Sequence, residues 1–146
     1  MQKVPVKLKL FDPTLPTPAY QTAGAAAFDL YSRLNVTIKP HQTLAVPTNV
    51  AVQLPPEYWL LVAARSSLHK KGLQVINGIG VIDTDYCGDD DEICVLLYNF
   101  SDQAVTINQG DRLAQGIIIS RTQAEFTLVD HLGCTNRGGF GSTGQQ

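Results

Sequence analysis

Apolar side chains recur along this chain in short runs, and mostly at every second position. Val4, Val6, Leu8 and Leu10 alternate with Pro5, Lys7 and Lys9. A period of two turns one face of an extended strand inward and the other to water. Further short apolar runs follow at Val36–Ile38, Leu44–Leu54, Tyr58–Ala64, Leu73–Ile76, Ile93–Phe100, Ala104–Ile107, Leu113–Ser120 and Phe126–Val129. Between them lie the turn pairs Asp12-Pro13, Lys39-Pro40, Pro55-Pro56, Asn77-Gly78, Ser101-Asp102 and Gln109-Gly110. Many short strands with few helical windows predict an all-β domain built as a sandwich, jelly roll or barrel. A single helical turn is expected over Ser66–Lys71, where a serine hydroxyl can cap the free N–H groups. Asn77-Gly78 predicts a two-residue hairpin turn, with positive φ at both central positions.

The last dozen residues, TNRGGFGSTGQQ, differ in kind from the rest. Four glycines and almost no aliphatic side chains cannot bury a core, so the chain divides into a β domain over 1–134 and a mobile arm over 135–146. A total of 146 residues suits one domain. The net charge of −2 argues against a broad basic surface for nucleic acid. Cys87, Cys94 and Cys134 have neither CxxC spacing nor an even count. They read as free thiols in a reducing cytoplasm. No apolar run is long enough for a signal peptide or a membrane span, so a soluble protein is expected. His41, His69 and His131 show no metal-ligand spacing and read as loop or surface residues.

Four segments carry candidate chemistry. The run Ile79–Ile82 ends in Asp83, followed by Asp85 and Tyr86. If the strand continues, both carboxylates lie on one side. They form either a solvated acidic turn or a general base beside water and a phosphate. Arg65 and Ser66 follow the strand Tyr58–Ala64 and place a guanidinium, a hydroxyl and free N–H groups together. That is a phosphate site or an ordinary helix cap. Gln115 sits inside a strand after Gly110-Asp111-Arg112, where it can donate to a ligand while Asp111 and Arg112 form a charged rim. In the arm, Phe140 is a lone aromatic among glycines, with Arg137, Ser142 and Thr143 near it. Such an arm is an unstructured end, or a lid that stacks Phe140 on a base and sets hydroxyls on phosphates.

Taken in order, five segments resemble the five motifs of the homotrimeric all-β dUTPases: AAAFDLYS (25–32), ARSSLHKKG (64–72), NGIGVIDTDYCG (77–88), GDRLAQGII (110–118) and RGGFGSTG (137–144). The resemblance implies a jelly-roll protomer with a flexible C-terminal arm, and a trimer with three sites at subunit interfaces. It implies hydrolysis of dUTP to dUMP and pyrophosphate, which limits uracil in DNA and supplies dUMP for dTMP synthesis. Mg²⁺ would be held by the triphosphate oxygens, with no direct protein ligand. By the same resemblance Asp83 orients the water that attacks the α-phosphorus. Tyr86 lies under the deoxyribose, where a 2′-OH would clash. Asn77 and the backbone of Gly80, Val81 and Ile82 read uracil. Arg65, Ser66 and Gln115 hold the α- and β-phosphates, with Ser67 beside them. Phe140 covers the base, and Ser142, Thr143 and Arg137, together with Gly141, hold the γ-phosphate. Asp29 supports the water shell of the metal or a subunit contact.

The chain departs from the pattern at named places. Ser67 stands where the second motif usually has glycine, as in dCTP deaminases of similar fold. Cys87 replaces a common arginine, Asp89, Asp90 and Asp91 are interposed before Glu92, and Arg137 precedes Phe140 by three residues instead of five. The alternative is therefore a dCTP deaminase or a bifunctional deaminase–diphosphatase, with Glu92 as its nearest catalytic carboxylate.

Overall fold

The computed structural model describes residues 3–139. Eleven strands follow one another: β1 (Lys7–Leu10), β2 (Phe28–Tyr31), β3 (Val36–Ile38), β4 (Thr43–Pro47), β5 (Val50–Gln53), β6 (Tyr58–Ala64), β7 (Leu73–Val75), β8 (Ile79–Ile82), β9 (Cys94–Asn99), β10 (Val105–Ile107) and β11 (Arg112–Ser120). The four-stranded sheet runs β2-β11-β6-β8 and the three-stranded sheet β4-β9-β7, while β1 pairs with β5 and β10 with β3. Every pairing is antiparallel. Inward residues of these sheets meet in one core: Leu30, Leu60, Val62 and Leu113 from the larger sheet, Val46, Val95, Leu97 and Leu73 from the smaller. Ile38, Ile107, Val50 and Val52 close it from the two short ladders. The all-β, jelly-roll-type architecture follows from the period-two pattern.

The structure revises four local expectations. The run Leu44–Leu54 is two strands, broken at Asn49, whose φ is +72°. The fully buried Asn49 side chain accepts from Asp12 N at 2.6 Å, and its amide donates to Asp12 O at 3.0 Å. These remote bonds hold the chain where it passes from one sheet to another. Asn77-Gly78 is no type I′ hairpin turn, since only Gly78 has positive φ, at +74°. The reason is topological, because β7 pairs with β9 whereas β8 pairs with β6. The helical stretch shrinks to one 3₁₀ turn, Leu68–Lys71, without a side-chain cap bond at Ser67. Finally, Phe126–Val129 forms no strand, and residues 121–139 run irregularly with exposed side chains.

Candidate active site

Two groups of the expected residues stand on the four-stranded sheet, at different places. The first is cationic and centres on Asp29. In β2, Asp29 lies opposite Gln115 of the neighbouring β11, and Gln115 in turn lies opposite Ala63 of β6. Its carboxylate, only 8% exposed, receives Arg65 Nε at 2.8 Å on one oxygen and Arg112 Nη1 at 3.3 Å on the other. A buried carboxylate with two guanidinium partners is compensated, and it fixes the guanidiniums in return. Gln115 Nε2 donates to Ala64 O at 3.0 Å. Ser66 and Ser67 follow Arg65 with exposed side chains. The 3₁₀ turn spans four residues, too short for a helix dipole of consequence. The groups here that can take up an anion are side chains: two held guanidiniums and two hydroxyls. Arg112 is the member that sequence reasoning left among rim charges. Its one signal was its place three residues before Gln115.

The second group lies on the edge strand β8. Among the described residues no strand pairs with its edge away from β6; Asn77 O takes Ile79 N there at 2.9 Å, and the outward groups further along the strand can read a planar, hydrogen-bonding ligand. Gly80 allows close approach to β6, because a Cβ there would sit 3.2 Å from Val62 Cβ. Val81 points outward at 56% exposure, and Ile82 is half-buried. Asn77 precedes the strand with its Nδ2 on Ile79 O at 3.1 Å. The strand ends at Ile82, so strand alternation does not extend to Asp83 and Asp85. A turn follows instead, in which Tyr86 N donates to Asp83 O at 3.2 Å. Asp83 is exposed, and no hydrogen bond or ion pair ties its carboxylate to another described residue. Tyr86 Oη donates to Glu92 O at 3.1 Å. Burial, followed by the carboxylate of Asp91, raises the Tyr86 phenol above its ordinary value and keeps it a donor.

Within one chain these groups do not meet. Ile79 lies opposite Ala63 and Ile82 opposite Leu60, so Asp83 leaves β8 at the Leu60 level, while Arg65 follows the other end of β6, past Ala64. At about 3.3 Å per residue the four-residue step from Leu60 to Ala64 alone spans about 13 Å. The Arg65 guanidinium, moreover, is drawn toward β2, at the other edge of the sheet from β8. Arg137 is exposed and makes no hydrogen bond or ion pair with a described residue. Phe140, Gly141, Ser142 and Thr143 lie outside the described residues. Glu92, the carboxylate a deaminase would use, is engaged elsewhere. Arg33 Nε and Nη2 each donate to it at 2.8 Å, and Asn49 N donates to its Oε1 at 2.8 Å.

All three histidines are exposed, and the three cysteines are free thiols. Among the described residues no group of His, Cys, Asp or Glu is arranged to hold a metal ion, and no helix is long and apolar enough to cross a membrane.

A β-sandwich with a cationic cluster at one end of its main sheet and a carboxylate past the free edge strand is the scaffold of a phosphate-handling enzyme. The family model described as dUTPase matches residues 14–144, and the chain belongs to that family. It is 45% identical over 136 residues to the deoxyuridine 5′-triphosphate nucleotidohydrolase of Desulfotalea psychrophila, covering 90% of this chain and 89% of that one. The enzyme of the same name from Zymomonas mobilis is 43% identical over 145 residues, 97% of each chain. The crystal structure of dUTPase from Streptococcus mutans superimposes with a TM-score of 0.71 at 31% identity, over 85% of this chain and 98% of that one. A more distant neighbour at 23% identity, a mutant phage phi11 dUTPase described with a structural Mg(II) ion, shares the fold at a TM-score of 0.77, over 89% of this chain and 99% of that one.

Proposed function

We propose that this chain hydrolyses dUTP to dUMP and pyrophosphate at sites shared between the subunits of a homotrimer. The observation that carries the proposal is the separation just described. Displacement at phosphorus needs a water-orienting base and cationic donors on one phosphate chain. Asp83 of one subunit and the Arg65–Asp29–Arg112 cluster of that same subunit, which follow opposite ends of the paired stretch of β6 and β8 with the cluster drawn toward β2, are poorly placed to serve one substrate. Two chains, each supplying one half, can serve it. The irregular stretch after β11 supports assembly as well: Phe126, Leu128 and Leu132 are 93%, 99% and 88% exposed in the single chain. Apolar side chains held so far into water call for a covering surface.

In this reading uracil pairs with the free edge of β8 around Gly80, Val81 and Ile82, with Asn77 completing the set. Tyr86 lies under the deoxyribose and closes the space of a 2′-OH. Asp83 takes the proton of the water that attacks the α-phosphorus, and pyrophosphate leaves. Arg65, Ser66, Ser67 and Gln115 hold the α- and β-phosphates, while Arg137, Phe140, Gly141, Ser142 and Thr143 of the arm cover base and γ-phosphate.

The donor set fits a Mg²⁺ that arrives on the triphosphate rather than one bound by the protein. Asp29, the carboxylate nearest the phosphate donors, already has both oxygens on guanidiniums, so it reaches a metal only through water. When bound, Mg²⁺ neutralises charge on the phosphate oxygens. Free thiols suit a cytoplasmic setting, where the product feeds dTMP synthesis and dUTP is kept from DNA.

The test is release of pyrophosphate from dUTP, UTP, dCTP and dTTP, with and without Mg²⁺, alongside release of ammonia from dCTP. Turnover of dUTP alone, dependent on Mg²⁺, is expected. Ammonia release, or equal turnover of the four, would overturn the reading in favour of a deaminase or an unselective hydrolase.

A further inference from the structure

We infer that the Arg33–Glu92 ion pair is a positioning device for Tyr86 and so sets discrimination between deoxyribose and ribose. The inference rests on the reading of Tyr86 as the residue under the sugar. Arg33 follows β2, and its guanidinium forks onto both oxygens of Glu92 at 2.8 Å. A bidentate fork restricts rotation as well as distance. The Arg33 guanidinium also lies 5.6 Å from the centre of the Phe11 ring, a cation–π contact that limits its own freedom.

Glu92 is fixed further by Asn49 N on its Oε1. The next residue, Ile93, is tied to the β4–β5 corner: its N donates to Val50 O at 2.9 Å, and its O accepts Thr48 N and Thr48 Oγ1. The Glu92 carbonyl is therefore a fixed point, and it is the carbonyl that accepts the Tyr86 hydroxyl at 3.1 Å. From Tyr86 the chain of contacts ends at Asp83 O.

The three interposed aspartates fit this frame. Asp91 Oδ2 accepts Gly88 N at 2.7 Å, and Lys9 Nζ donates to Asp89 O at 2.6 Å. The insertion folds back on itself and onto β1, leaving Glu92 in place to hold Tyr86. With a ring fixed in this way a 2′-OH meets a wall, and with a loose ring it meets a surface that yields.

The experiment measures kcat and KM for dUTP and UTP in Arg33→Gln, Arg33→Lys, Tyr86→Phe, Tyr86→Ala and the double variant Arg33→Gln/Tyr86→Phe. The readout is the ratio of kcat/KM for dUTP to that for UTP, which a smaller folded fraction would not change because both substrates see the same folded protein. Arg33→Gln and Tyr86→Phe should each lower the ratio about three- to tenfold, the equivalent of one hydrogen bond. The double variant should lose no more than the larger single loss, because both break one chain of contacts. Arg33→Lys, which keeps the charge but not the fork, should fall between Arg33→Gln and the unaltered protein.

A collapse of the ratio in Tyr86→Ala, with no change in Arg33→Gln, would overturn the inference and leave the Tyr86 reading standing. An unchanged ratio in Tyr86→Ala would overturn the Tyr86 reading itself. Should Arg33→Gln fail to fold, Tyr86→Phe breaks the same chain at a half-open position, and an unchanged ratio there also overturns the inference.

Discussion

In the proposed mechanism Asp83 separates chemistry from stability. Its carboxylate is exposed, beyond the end of β8, and tied to no described side chain. Asp29, by contrast, is buried between two guanidiniums. Replacing Asp83 with asparagine should leave the unfolding free energy within about 0.5 kcal/mol, the usual range for a surface change. Turnover of dUTP should fall by about 10²- to 10⁴-fold, the usual worth of a positioned base, while binding of a non-hydrolysable dUTP analogue is retained. Stopped-flow turnover and calorimetric titration check both, and undiminished turnover would remove Asp83 from the mechanism.

The sequence offered Asp83 and Arg65 as candidates through their place at strand ends, and β8 and β6 do end just before them. It did not make Arg112 or the Arg33–Glu92 fork legible, because their partners lie 83 and 59 positions away along the chain. No local spacing reports on such pairs.

Among the elements, the stretch between β6 and β7 shows how a short segment positions a site. Arg65 and the two serines are followed by one 3₁₀ turn that ends at Gly72, in the left-handed region at φ +75°. There Gly72 N donates to His69 O and Phe100 N donates to Gly72 O, which binds the turn to the end of β9. A side chain would be penalised twice. The left-handed conformation costs about 1–2 kcal/mol, and a Cβ would lie 2.9 Å from Ser101 Cβ. Gly72→Ala should lower the unfolding free energy by at least about 1 kcal/mol, read as a lower urea midpoint. An unchanged midpoint would contradict this account of the turn.

Strands with clear alternation or strong flanking turns, such as Tyr58–Ala64 and Val36–Ile38, were legible to the residue. The break at Asn49 was not, because a polar residue inside an apolar run signals a corner only once its buried partner, Asp12, is known. The Asn77-Gly78 pair misled for a related reason. Turn chemistry reports that the chain reverses, while the two strands it joins find partners in different sheets.

For the whole molecule, the sheet that organises the core also keeps the two groups of candidate site residues apart, toward opposite edges and different levels along the strands. Under the proposed function this separation makes assembly a condition of catalysis. Mixing two inactive proteins tests it most directly. Asp83→Asn and Arg65→Gln are each prepared as homomers, shown to lack turnover, then unfolded together and refolded at equal amounts, and pyrophosphate release from dUTP is measured. If each site takes Asp83 from one chain and Arg65 from another, random assembly gives roughly a quarter of the sites both native residues, and about a quarter of the activity of the unaltered protein returns. If each site lies within one chain, every site carries a defect, and the mixture stays as inactive as its components.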